Sequence, residues 1–203
     1  MKADDFFKHY LLREPFIELI AQKAAQLHAD VNQSYGDCLP YAFHLRLTAS
    51  YVTRFGHLVV DGPEEIDTFY AAAWFHDTIE DARVTYNDLK KIFTQLNASG
   101  CRIDVAYAAE LVYALTNDKG RTRDERAGDN YYVGIRAVKG APFLKMCDRL
   151  ANVRYSTLFG IRQRMAEVYA GEMPHFLAQL GGFVPQEMVA EAEQMLSEGY
   201  KRP

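Results

Sequence analysis

Apolar positions along the chain recur at i, i+3 and i+4 over most of its length, and the strict alternation of a half-buried strand is nearly absent. Proline is tolerated in a first helical turn, where its missing N–H would have no partner anyway, and it recurs as a start signal at Pro15, Pro40, Pro63, Pro142 and Pro185. The spacing predicts helices over 15–31, 40–55, 63–81, 88–96, 104–115, 123–138, 142–155, 158–169, 173–180 and 185–198. Thr85, followed three residues later by Asp88, reads as a cap for the fourth of these, since a hydroxyl and a carboxylate both meet unpaired backbone N–H groups there.

The expected fold is all-α, a helical bundle of about eight to ten helices. No repeat, low-complexity tract or long linker interrupts it, so residues 1–203 read as a single domain. The polar run from Asn117 to Asn130 suits a mobile loop or a solvated helix connection equally.

Composition narrows the class. With 49% apolar and 25% charged residues, the chain reads as an ordinary soluble globular protein long enough to bury a core without staples. A formal net charge of -4 offers no footprint for a nucleic-acid backbone. A nucleotide is permitted as a ligand and duplex DNA is not expected. Cys38, Cys101 and Cys147 are odd in number and far apart, which argues against a disulfide framework and a zinc knuckle. No stretch approaches the roughly 18 apolar residues of a membrane span, and the polar N-terminus does not read as a targeting signal. A cytoplasmic protein is expected.

The candidate chemistry lies in the third helix. Tyr70-Ala-Ala-Ala-Trp-Phe75 is core-like, and then His76, Asp77, Glu80 and Asp81 follow. On one continuous helix, residues four apart share a face, so His76 with Glu80 and Asp77 with Asp81 would form adjacent columns. Burying an imidazole and three carboxylates is costly unless something cationic sits among them. A His-Asp dipeptide alone often arises by chance; the apolar lead-in and the Glu80-Asp81 follow-up are what point to a metal. A divalent cation that activates water needs further protein ligands and an open position. Asp148 lies in an otherwise apolar helix with Asn152 one turn later, and it should be ligated or else paired with Lys145 or Arg149. Among His9, His28, His44 and His57, position inside a helix favours His44.

His44, His76-Asp77 and Asp148 together resemble the H…HD…D pattern of the HD-domain phosphohydrolases. The run His76-Asp-Thr-Ile-Glu-Asp81, followed by Val84-Thr85, is similar to that of RelA/SpoT-type alarmone hydrolases, especially the small stand-alone ones. His28, Pro40-Tyr41, Leu115-Thr-Asn-Asp-Lys119 and Lys145-Met-Cys-Asp-Arg-Leu-Ala-Asn152 extend the likeness over about two-thirds of the chain, from His28 to Tyr169.

The resemblance implies that His44, His76, Asp77 and Asp148 hold one divalent ion, manganese in that family, and that Glu80 and Asp81 are the catalytic pair. Chemistry agrees with the second point, because a metal lowers the pKa of water and a nearby carboxylate can take its proton. A solvated helix end is the plainer account of those two carboxylates. By family position, Asn152 would bond the substrate near the metal, Lys119 would meet a phosphate, and Arg164 and Tyr169 would make further nucleotide contacts. The implied reaction is hydrolysis of the 3' pyrophosphate of guanosine tetraphosphate (ppGpp).

Two departures stand out. Gln33-Ser34 replaces a basic pair that contacts the nucleotide in the small hydrolases, which weakens the expectation for a polyphosphorylated guanosine because each charge-assisted contact contributes about 1.5–3 kcal/mol. Leu45 stands where a proline usually follows the first metal histidine. An HD nucleotidase acting on another nucleotide is therefore the alternative. From another class, a non-catalytic nucleotide-binding regulator is the other, although no ligand or catalytic carboxylate of the pattern is missing.

Overall fold

A helix buried on every side needs neighbours all round, and 66–75 is such a helix: each residue from Ile66 to Phe75 is buried. The computed structural model, which describes residues 1–36, 38–117, 122, 128–158 and 163–198, builds the rest of the chain around it. Helix α1 (Ala3–Asp30) leads into a short antiparallel hairpin of β1 (Ser34–Tyr35) and β2 (Leu39–Pro40), then α2 (Ala42–Phe55). The central helix is α3 (Ile66–Phe75), followed by α4 (Thr78–Asp81), α5 (Tyr86–Ala98) and α6 (Val105–Leu115). Helices α7 (Asp129–Ala137), α8 (Ala141–Leu158), α9 (Gln163–Leu180) and α10 (Gln186–Glu198) complete the described residues. This is an all-α bundle, as the periodicity predicts.

The Ala71-Ala-Ala73 run lets neighbours approach α3 closely. Helices α1, α2, α6 and α8 all pack on it, and α2 also packs along α8. One apolar cluster runs continuously from Phe6 to Ala192. At the start of α5 the Thr85 hydroxyl accepts from the Asp88 N–H and the Asp88 carboxylate accepts from the Thr85 N–H, the capping box expected there. Asp104 caps α6 in a similar way, accepting from the Tyr107 N–H at 3.0 Å.

Several boundaries differ from the proline-based expectation. Pro15 lies inside α1, which begins twelve residues earlier at Ala3; the carbonyl it frees belongs to Leu11, 62% exposed, so water can satisfy it. Pro40 belongs to β2 and Pro174 lies inside α9, which joins the two helices predicted over 158–169 and 173–180. Packing of α9 against α8 carries that helix through Gly171 and Pro174. The helix predicted over 63–81 is a 3-10 turn (Pro63–Glu65), then α3, then α4. Residues 123–127 of another predicted helix lie outside the described residues. No described helix is long and apolar enough to cross a membrane.

Candidate metal centre

The break between α3 and α4 falls on His76 and Asp77. His76 keeps helical angles, whereas Asp77 sits at φ -99°, ψ 0° and starts α4. The helix is interrupted there, yet the Asp81 N–H still bonds the Asp77 carbonyl at 2.8 Å, and Asp77, Glu80 and Asp81 all line one cavity. Arg83, at φ 57°, then turns the chain away toward α5.

Three elements bring the four candidate ligands together. His44 comes from the first turn of α2, His76-Asp77 from the end of α3, and Asp148 from the middle of α8. The two Nε2 atoms face each other at 3.1 Å. Asp77 Oδ2 lies 3.0 Å from His76 Nε2 and 3.4 Å from His44 Nε2. Asp148 Oδ1 lies 3.3 Å from His44 Nε2 and 3.7 Å from His76 Nε2. Ligand atoms bound to one ion at about 2.1 Å stand about 3 Å apart, so these separations fit a single cation. His44, His76 and Asp77 alone already form a group able to hold one.

Neighbouring groups aim these ligands. His76 Nδ1 lies 2.9 Å from the Ala73 carbonyl, which fixes the Nδ1–H tautomer and leaves the Nε2 lone pair facing the cluster. The Tyr41 hydroxyl donates to Asp77 Oδ2 at 2.6 Å. Asn152 Nδ2 donates to Asp148 Oδ1 at 2.6 Å, while its own Oδ1 accepts from the Tyr35 hydroxyl at 2.9 Å. Lys145 bonds the other Asp148 oxygen at 2.9 Å. The ion pair that sequence offered as the alternative for Asp148 is thus present, and it occupies only one carboxylate oxygen. Arg149, the other partner considered, pairs with Glu172 instead.

Electrostatics describe a cluster short of positive charge. Burial alone lowers both imidazoles, but Asp148 and Asp77 raise His44 above its ordinary value and Asp77 and Asp148 raise His76 well above it. Burial alone raises the two carboxyls, but His76 and His44 hold Asp77 well below the usual range, and Lys145 with the histidines does the same for Asp148. Burial and the Asp77 charge push the Asp81 carboxyl up.

The cluster forms the floor of a cavity of about 750 Å³. Glu80 and Asp81 line it, together with Asn152 and Tyr169. Both Glu80 oxygens accept from Asn117, at 2.6 Å from the backbone N–H and 2.9 Å from the side chain. The Arg149 guanidinium lies over the Tyr169 ring at 5.0 Å. Arg164 is exposed and stands apart from the lining. Lys119 and most of the run from Asn117 to Asn130 lie outside the described residues. Gln33 and Ser34 do not line the cavity, but the next residue, Tyr35, does. Gly36, at φ +64°, lets the hairpin close against the site, since a Cβ there would collide with the Tyr155 hydroxyl.

Sequence reasoning left the roles of Tyr35, Tyr41 and Asn117 unassigned. Tyr41 had a usable signal, lying one helical turn before His44, and Asn117 lies in the run Leu115–Lys119 that carries the resemblance; Tyr35 reaches the site through folding alone. His28 is also buried here, stacked on Tyr41 at 4.5 Å with neither ring nitrogen hydrogen-bonded, and burial pushes it down to about 4. No protein-family model matches the chain.

Proposed function

We propose that the protein is a metal-dependent phosphohydrolase of the HD type, which cleaves a phosphate or pyrophosphate ester of a nucleotide. The observation that carries this reading is the convergence of His44 Nε2, His76 Nε2, Asp77 Oδ2 and Asp148 Oδ1 beneath a cavity walled by two further carboxylates. These four residues would hold one divalent ion, with manganese the first to try. When bound, such an ion supplies Lewis acidity and lowers the pKa of water into the neutral range.

The chain's own groups divide the remaining work. Glu80, with both oxygens engaged by Asn117, is fixed in place and orients what lies beside it. Asp81, with its carboxyl pushed up by burial, is the better acceptor for the proton of the attacking water. Tyr41 and Asn152 keep Asp77 and Asp148 aimed at the centre. Lys145 offsets charge on Asp148 and leaves one oxygen of it for the ion.

Guanosine tetraphosphate, losing its 3' pyrophosphate, is the substrate favoured by the resemblance of His76–Asp81 and Asp148–Asn152 to the alarmone hydrolases. A second reading, another nucleotide with fewer phosphates, is favoured by Gln33-Ser34 and by the described cavity wall. That wall carries Asp77, Glu80, Asp81, Asp129, Asp148 and Glu172 against Lys145 and Arg149, each of which already pairs with a carboxylate. The test is turnover of a nucleotide panel by the manganese-loaded protein, with phosphate and pyrophosphate release measured separately. Pyrophosphate from guanosine tetraphosphate is the expected product. Release of phosphate from a monophosphate alone moves the assignment to the second reading, and no turnover of any member with metal bound overturns both.

A further inference from the structure

Helix α1 is apolar on two opposite sides. One side sends Phe6, Ile17, Ile20, Ala21 and Ala24 into the core. On the other lie Phe7, Leu11, Leu12 and Leu19, exposed by 39%, 62%, 64% and 36%, with the exposed Pro15 between them. Single exposed leucines need no explanation. Positions 7, 11, 15 and 19, however, step by four residues and make one ridge about 18 Å long, the kind of contiguous apolar surface that marks an interaction site.

We propose that this ridge joins two copies of the chain, α1 against α1, about a two-fold axis passing beside Arg13. A two-fold contact pairs positions mirrored about its centre. Leu11 then meets Pro15, and Phe7 meets Leu19. The same mirror sets Lys8 opposite Glu18, both exposed, although the apolar pairing did not require opposite charges there. That complementarity sets the direction, because a parallel pairing would place Lys8 on Lys8 and Glu18 on Glu18. Arg13 itself points away from the axis, into a two-pronged bond with Asp67, and adds no charge to the contact. No ridge residue lines the cavity, so the dimer leaves both cavities open.

Sedimentation of the full chain tests this. The expected mass is twice the 23.1 kDa of one chain, and Leu11→Glu with Leu12→Glu should reduce it to that of one chain. Lys8→Glu and Glu18→Lys should each weaken association about tenfold, because every reversal acts twice in a two-fold contact, and combining them should restore it to within about threefold. Both charge variants alter exposed side chains, so an unchanged helical circular-dichroism spectrum accompanies the result. A single-chain mass at concentrations up to about 100 µM would overturn the proposal. So would a dimer that survives the two leucine substitutions, a double reversal weaker than either single one, or a single-chain protein that floats with phosphatidylcholine vesicles.

Discussion

The two ends of α3 bury carboxylates in opposite ways. At its start, Asp67 is 1% exposed and fully answered: Arg13 donates to both of its oxygens at 2.9 and 2.6 Å, and the Arg102 N–H adds a third bond at 2.6 Å. At its end, Asp77 meets imidazoles whose positive charge depends on a proton, and the cluster opens into a cavity. Arginine stays charged at any physiological pH, so the first arrangement is closed and permanent. On the function proposed above, the second would hold a metal ion where the first holds a guanidinium. A buried acidic cluster is therefore read by what balances it: a built-in cation marks a structural tie, and titratable balance beside a cavity marks a place where a cation can come and go.

The largest effect that would separate the two ends is on turnover. Asp77→Ala should abolish metal uptake and lower turnover by at least about a thousandfold, since activation of water is lost with the ion; isothermal titration with manganese and the nucleotide assay measure both, and surviving turnover would mean that the chemistry lies elsewhere. Arg13→Ala should do the reverse. It leaves Asp67 buried without its cation and should cost about 3–5 kcal/mol in denaturant unfolding, with metal affinity unchanged. A large loss of metal affinity in that variant would collapse the distinction between the two ends.

Next in size is the effect of pH. The raised His44 and His76 stabilise the metal-free fold fully below about 6.5, the ordinary value for imidazole, and that contribution is lost as pH climbs through their folded values. The lowered Asp77 and Asp148 contribute above about 4, and their share is lost as pH falls further. His28 acts in the opposite direction, its depressed value making stability fall as pH drops from about 6.5 toward 4. The gain in melting temperature from manganese should grow as pH climbs toward the raised folded values of His44 and His76, because a proton competes less and less with the ion. A gain that shrinks over that range would contradict the exchange of proton for metal. Smallest is Tyr41→Phe, which removes one bond to Asp77 and should weaken manganese binding about 10- to 100-fold without altering the fold. No change in affinity would show that Asp77 needs no such guidance.

Much of the fold was legible in order of residues alone. Helical spacing predicted the all-α class, and the Thr85–Asp88 cap is local, so short-range chemistry was enough to place it. Helix ends at proline were less legible. Pro15 and Pro174 sit inside helices because side-chain packing outweighs one lost backbone bond, and packing partners are distant in the chain. The break at His76-Asp77 was equally hidden, as a run that reads as one amphipathic stretch is bent where Asp77 faces His44 and Asp148.

At the site, the residue types and their order were the part sequence could determine: which positions carry imidazoles and carboxylates in apolar surroundings, and so where burial would be costly without a cation. Tertiary structure alone decided that the imidazoles of α2 and α3 meet at 3.1 Å, that Asp148 shares its two oxygens between Lys145 and the cluster, and that Asn117 ties down Glu80. Periodicity speaks of neighbours one turn away. A metal centre needs atoms a few ångströms apart from helices separated by dozens of residues, and only the packing of those helices around α3 sets that distance.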